Sequence, residues 1–149
     1  MATRSTIALE YADGTVDCIY CHWDGYLEGV GATLLKHYMD PFKVRELMDL
    51  GDMSYLGEVI GEQHPFAHWD TGMSLDEHEE KYGHMTTFYR RDRGEDGGWC
   101  RRYKSFDDYV SKNMWEEYDY ILRPDGKWYV SDHGAPFVEL EKLIVKEAA

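Results

Sequence analysis

Tyr20-Cys21-His22-Trp23-Asp24-Gly25-Tyr26 packs two phenols, an indole, an imidazole, a thiol and a carboxylate into one short stretch. It falls where a strand pattern gives way to a helix pattern, and a junction held by a rigid element on each side is a common place for a site. His22 with Asp24 could serve as a general base and the group that orients it, and His68 with Asp70 repeats the pairing. Neither pair comes with a nucleophile motif or a Walker-type phosphate loop. A histidine beside a carboxylate therefore reads first as structural, and aromatics at a strand end read first as core or rim packing.

A second group of chemistry-bearing residues is basic. Residues 90–104 hold Arg90, Arg91, Arg93, Arg101, Arg102 and Lys104, six of the sixteen Lys and Arg in the chain, against Asp92, Glu95 and Asp96. The segment is locally +3, so the rest of a chain at −13 stands at −16. Arginines around a Gly-rich turn can grip phosphate or carboxylate bidentately, helped by turn amides. Trp99 and Tyr103 are interleaved with them, as in sites that stack bases. The competing reading is that these cations neutralise the acidic body through internal pairs. The candidate ligand-binding set is then His22, Trp23, Asp24, Tyr26, Arg90, Arg91, Arg93, Arg101 and Arg102.

Cys18 and Cys21 with His22, His64 and His68 raise the question of zinc. Residues three apart in a strand point to opposite faces, so the two thiols diverge. The gap to His64 is also far longer than in a small zinc finger. No metal site and no cofactor are expected, and three cysteines make a poor disulfide framework.

The elements that must position these groups follow from pattern. At 149 residues, with 43% hydrophobic and 15% aromatic content, the chain is long enough for one ordinary core. No apolar run is long enough to span a bilayer, and residues 1–5 lead directly into a strand, so a cytoplasmic protein is expected. Residues 5–23 read as a β-hairpin on Asp13-Gly14, taken as a two-residue type I′ turn. That register pairs Tyr11 with Val16, Leu9 with Cys18 and Ile7 with Tyr20 on the core face. Ile19, Cys21 and Trp23 then point the other way, beside Ala8, and this second face is either covered or lies in an interface, such as that of a homo-oligomer.

Residues 30–38 are helical, and Asp40-Pro41 restarts a helix that stops at Gly51. Residues 58–80 form a long excursion with seven acids and no Lys or Arg, in which Ser74 opens a short helix to about Lys81. A strand over 84–91, a turn at 93–98, a short strand over 99–103 and a helix from Ser105 follow. A second hairpin turns at Pro124-Asp125-Gly126-Lys127, with a two-residue or a three-residue loop left open. A last helix follows Pro136, carrying Phe137, Leu140, Leu143 and Ile144 inward. The reading is α+β: an antiparallel sheet of two or three hairpins covered by helices, in one domain. No βαβ crossover is required by it.

The run Thr3-Arg4-Ser5-Thr6-Ile7-Ala8 and the stretch Tyr20–Tyr26 resemble a family of short proteins of tailed bacteriophages and prophages. Further similar stretches are His37-Tyr38, Leu50-Gly51-Asp52 with Leu56-Gly57, Arg91-Asp92-Arg93-Gly94-Glu95, and Glu117-Tyr118-Asp119-Tyr120-Ile121-Leu122. The resemblance covers most of the chain, least so residues 58–80, and brings no established reaction or catalytic residue with it. It implies a phage accessory protein in the host bacterial cytoplasm, of the kind that counters host defence. On that basis the expected function is non-catalytic: sequestration of a nucleotide-derived immune signal. The alternative is an acidic inhibitor that blocks a basic nucleic-acid-binding groove of a host defence effector, and a lower alternative is a small hydrolase of the signal. The acidity argues against direct nucleic-acid binding.

Overall fold

The computed structural model describes residues 2–66, 68–113 and 115–148, with side chains for all of these except 70 and 145–148. Strands β1 (Ser5–Glu10) and β2 (Val16–Cys21) form the first hairpin, and β6 (Tyr118–Leu122) and β7 (Trp128–Asp132) form the second. β3 (Met53–Tyr55), β4 (Thr87–Phe88), β5 (Arg101–Tyr103) and β8 (Val138–Glu139) complete an eight-stranded sheet in the order β4-β3-β2-β1-β6-β7-β8, with β5 also on β2. The α+β class holds. The sheet is mixed, however, because β1 runs parallel to β6 and β2 parallel to β3.

Both hairpins close with the same device. Gly14 donates to the Tyr11 carbonyl and Tyr11 to that of Thr15, and Gly126 donates to the Arg123 carbonyl and Arg123 to that of Lys127. Each loop is three residues long and ends on a glycine at φ +92° or +80°, the left-handed residue that follows a type I turn. The Asp13 and Asp125 side chains accept from the next-but-one amide, which stabilises this loop over the two-residue turn. The expected first register is thereby shifted by one residue: Val16 pairs with Glu10, Cys18 with Ala8 and Ile19 with Ile7. Ile7, Leu9, Ile19 and Cys21 face the main core, while Ala8, Val16 and Cys18 face a second one. Tyr20, half-buried, is not a core residue.

The main core lies under α1 (Ala32–His37), α2 (Pro41–Leu50) and α5 (Leu140–Ala148), with Leu34, Tyr38, Val44, Leu47 and Leu140 buried. Asp40 caps α2 through the Phe42 amide, Pro41 opens it and Gly51 ends it, as the sequence indicates. The second face is covered within the chain by α4 (Phe106–Lys112), whose Tyr109 is buried among Phe106, Phe137 and Tyr103. Phe137 therefore belongs to this face and not to the final helix, because Val138 and Glu139 first pair with β7. The strand expected over 84–91 shrinks to Thr87–Phe88. The Asp92 amide and carboxylate both bond back to Phe88 and fold the chain into a turn. The excursion carries α3 (Leu75–Tyr82), capped by Ser74 and Glu77 as expected. No helix among the described residues is long and apolar enough to cross a membrane.

Candidate functional site

The aromatic stretch is a structural corner that presents part of itself outward. Gly25 sits against Thr3, where an added Cβ would lie 2.8 Å from the Thr3 carbonyl oxygen, and Gly29 leaves only 2.2 Å to the Asp24 carbonyl oxygen. Val30 donates to that same Asp24 oxygen at 2.8 Å, and the buried Tyr120 hydroxyl donates to the Gly25 carbonyl at 2.7 Å. One π-helical turn, Leu27–Gly31, follows. Trp23, Asp24, Tyr26 and Glu28 remain exposed on this corner. His22 is engaged elsewhere: its Nδ1 lies 2.7 Å from the Tyr20 hydroxyl, and its ring meets the Trp23 indole edge-on. Burial pushes the Tyr20 phenol up to about 12, so it stays protonated and can donate to His22.

Most of the arginines are already answered by carboxylates. Arg101 pairs with Asp52 at 3.0 Å, Arg102 with Asp17 at 2.8 Å and Arg93 with Glu95 at 2.8 Å. Arg91 is the most committed. Its guanidinium donates to both Asp92 oxygens and to the carbonyls of Ile60, Gly61 and Thr86. Asp92, fully buried at its carboxylate, also accepts from the His64 and Phe88 amides. Arg91 and Asp92 thus clamp the excursion to the end of β4.

Arg90 differs. It has no carboxylate within 4.0 Å among the described residues, and its guanidinium lies 3.1 Å over the Trp99 ring. Together they line a cleft of about 420 Å³ with Asp49, Leu50, Arg91, Glu95, Asp96 and the glycines of the turn. His22, Trp23, Asp24 and Tyr26 do not line this cleft, so the expected pocket shared by the arginine turn and the aromatic stretch is not formed there. The two halves meet instead at a hollow of about 150 Å³ lined by Tyr20, Asp52 and Arg101, where Asp52 accepts from both the Tyr20 amide and the Arg101 guanidinium. That meeting depends on topology: β3 and β5 share one edge of β2, and Asp52 fills the gap by accepting from the Tyr20 amide at 2.8 Å.

The remaining catalytic and metal candidates are dispersed. Cys18 and Cys21 lie in opposite cores, and burial pushes both thiols up to about 12, which removes them as thiolate nucleophiles near neutrality. His64 stacks on Tyr82 and bonds to the Glu62 carbonyl and the Thr87 hydroxyl. His68 bonds to the Met73 carbonyl, and the Asp70 side chain lies outside the described residues. No group of three or more His, Cys, Asp or Glu among the described residues is placed to hold a metal ion.

A further surface lies outside the expected ligand-binding set and belongs to the acidic-inhibitor alternative. On the excursion, Glu58, Glu62, Asp76, Glu77, Glu79 and Glu80 are exposed and make no ion pair among the described residues. Trp69, 70% exposed, and Leu75 stand among them in sequence and are also open to solvent. The segment is tied to the end of β4 by the Arg91 clamp and braced within itself by the His64–Tyr82 stack and by His78 bonding to the Pro65 carbonyl at 2.9 Å. Its signal in the sequence was the run of acids without Lys or Arg. Comparison with known proteins finds no matching family model, no matching curated protein and no matching solved structure.

Proposed function

We propose that this chain is a non-catalytic binding protein whose acidic excursion occupies a basic groove on a partner, blocking the nucleic acid that the groove would otherwise hold. The observation that carries this is the set of six exposed carboxylates without an ion pair among the described residues, with exposed Trp69 and Leu75 between them in sequence, on a clamped segment. An interface gains most from a few aromatic or apolar anchors within a polar surround, and complementary charge speeds encounter. Internal pairing supports the same reading, since it occupies most of the arginines and leaves the acids of the excursion without a cation. The resemblance to phage proteins supports a host antiviral effector as the owner of the groove. The test expresses the chain in bacteria that each carry a single antiviral system. One system should lose protection, and its purified effector should bind the chain with an association rate that falls steeply with salt. Protection unaffected in every strain, or an association rate indifferent to salt, contradicts the proposal.

A second reading, sequestration of a nucleotide-derived signal, is favoured by one observation: Arg90, bonded to the Leu50 carbonyl at 3.4 Å but to no carboxylate among the described residues, lines a cleft together with Trp99. On this reading the ligand set shrinks from the expected arginine cluster to that cleft, since Arg91, Arg93, Arg101 and Arg102 are held by carboxylates.

A further inference from the structure

We infer that the Arg90–Trp99 cleft selects a guanine base, an assignment that rests on the nucleotide reading of the same cleft. The floor comes first. Aromatic rings and guanidinium planes are both surfaces on which bases stack. Here the two are already stacked, 3.1 Å from guanidinium carbon to ring centre, and Trp99 remains 61% exposed. Cation and indole thus form a flat platform within a space of about 420 Å³, which is ample for one base.

The wall chooses the base. Asp49 and Asp96 line the cleft and are exposed, and their carboxylates make no hydrogen bond or ion pair with another described residue. An ionised carboxylate offers two acceptor oxygens and no donor. Guanine carries its ring N1–H and its 2-amino group side by side, two donors at the spacing of those oxygens. Adenine and cytosine place a ring acceptor beside their amino group, and uracil places a carbonyl on each side of its N–H. A lone pair would then face the carboxylate, which disfavours all three. Charge sharpens the choice further. Arg91 and Glu95 are paired with Asp92 and Arg93, so one cation without a carboxylate partner, its NH1 on the Leu50 carbonyl, stands against two carboxylates without a cation. Such a cleft gains little from added phosphates, and the nucleoside should bind about as well as its monophosphate.

The experiment is calorimetric titration of the full chain with guanosine, GMP, AMP, CMP and UMP, repeated on Trp99→Ala, Asp49→Asn and Asp96→Asn. All three sites are exposed, and circular dichroism checks that each variant keeps the parent's fold. Guanosine and GMP should bind alike, and about tenfold or more tighter than AMP, the discrimination a good bidentate contact supplies. Trp99→Ala should weaken every ligand that binds, and one of the two Asn variants should erase the preference for guanine. AMP binding as tightly as GMP, or a preference that survives both Asn variants, overturns the guanine assignment and leaves the nucleotide reading standing. Failure of all five ligands to bind at millimolar concentration removes both.

Discussion

Asp119 is fully buried, and burial pushes its carboxyl up to about 6 against the hydrogen bonds from Thr6 and Asn113 that favour ionisation. Its second oxygen is buried without a hydrogen-bond partner. The folded value lies above the unfolded one, so the fold holds its proton where the unfolded chain has lost it. Between about pH 4 and pH 6 this group therefore lowers stability as pH rises, and the loss is complete above the folded pKa; it amounts to about 2–3 kcal/mol. Asp119→Asn should remove that slope, so urea midpoints of parent and variant should diverge from pH 4 to pH 6.5, with the variant the more stable at the upper end. A constant difference across that range would mean that the carboxyl does not titrate there. The arginines give a second contrast. Arg91→Ala strips a buried carboxylate of its cation and should cost about 3 kcal/mol or more. Arg93→Ala breaks a pair in which both side chains are roughly half exposed and should cost about 0–1 kcal/mol. Urea denaturation of the two variants reads both numbers, and equal losses would show that Arg91 is no clamp.

Among the elements, the helices were the most legible. Asp40-Pro41, Gly51, Ser74 and Ser105 each set a helix boundary by chemistry confined to a few residues. The hairpins were legible in place but not in register, because Asp-Gly suits two loops that differ by one residue, and the choice fell to bonds made by Asp13 and Asp125. The parallel contacts of β1 with β6 and β2 with β3 left no local trace at all, since they join residues far apart in sequence. The site suffered for the same reason. Arg91 carries the same charge as Arg90, and only the fold puts Asp92 and three carbonyls around one and Trp99 under the other. The elements also make a prediction. Gly14→Ala strains one left-handed residue with open space around it and should cost about 1–2 kcal/mol. Gly29→Ala drives a Cβ to 2.2 Å from the Asp24 carbonyl oxygen and must move the corner backbone, at about 2–3 kcal/mol or more. Thermal unfolding ranks the two, and a milder effect at Gly29 would show that the corner is loose.

At the scale of the whole molecule, the net charge is −13, with most of the arginines paired within the chain and the acids of the excursion facing outward. The excursion is the extreme of this arrangement, and Arg91 and Asp92 bond to its backbone at Ile60, Gly61 and His64. On the groove-blocking proposal, this face contacts the partner. The most direct measurement is the plating of a defence-sensitive phage on bacteria that carry the affected antiviral system and express either the parent chain, Glu79→Lys with Glu80→Lys, or Arg90→Ala with Trp99→Ala. Glu77 is left alone because it closes the cap of α3. The account predicts that the charge-reversed chain, folded and equally abundant, loses the parent's ability to restore plating, while the cleft variant keeps it. Restoration by the charge-reversed chain and failure of the cleft variant would contradict the account and move the function to the cleft.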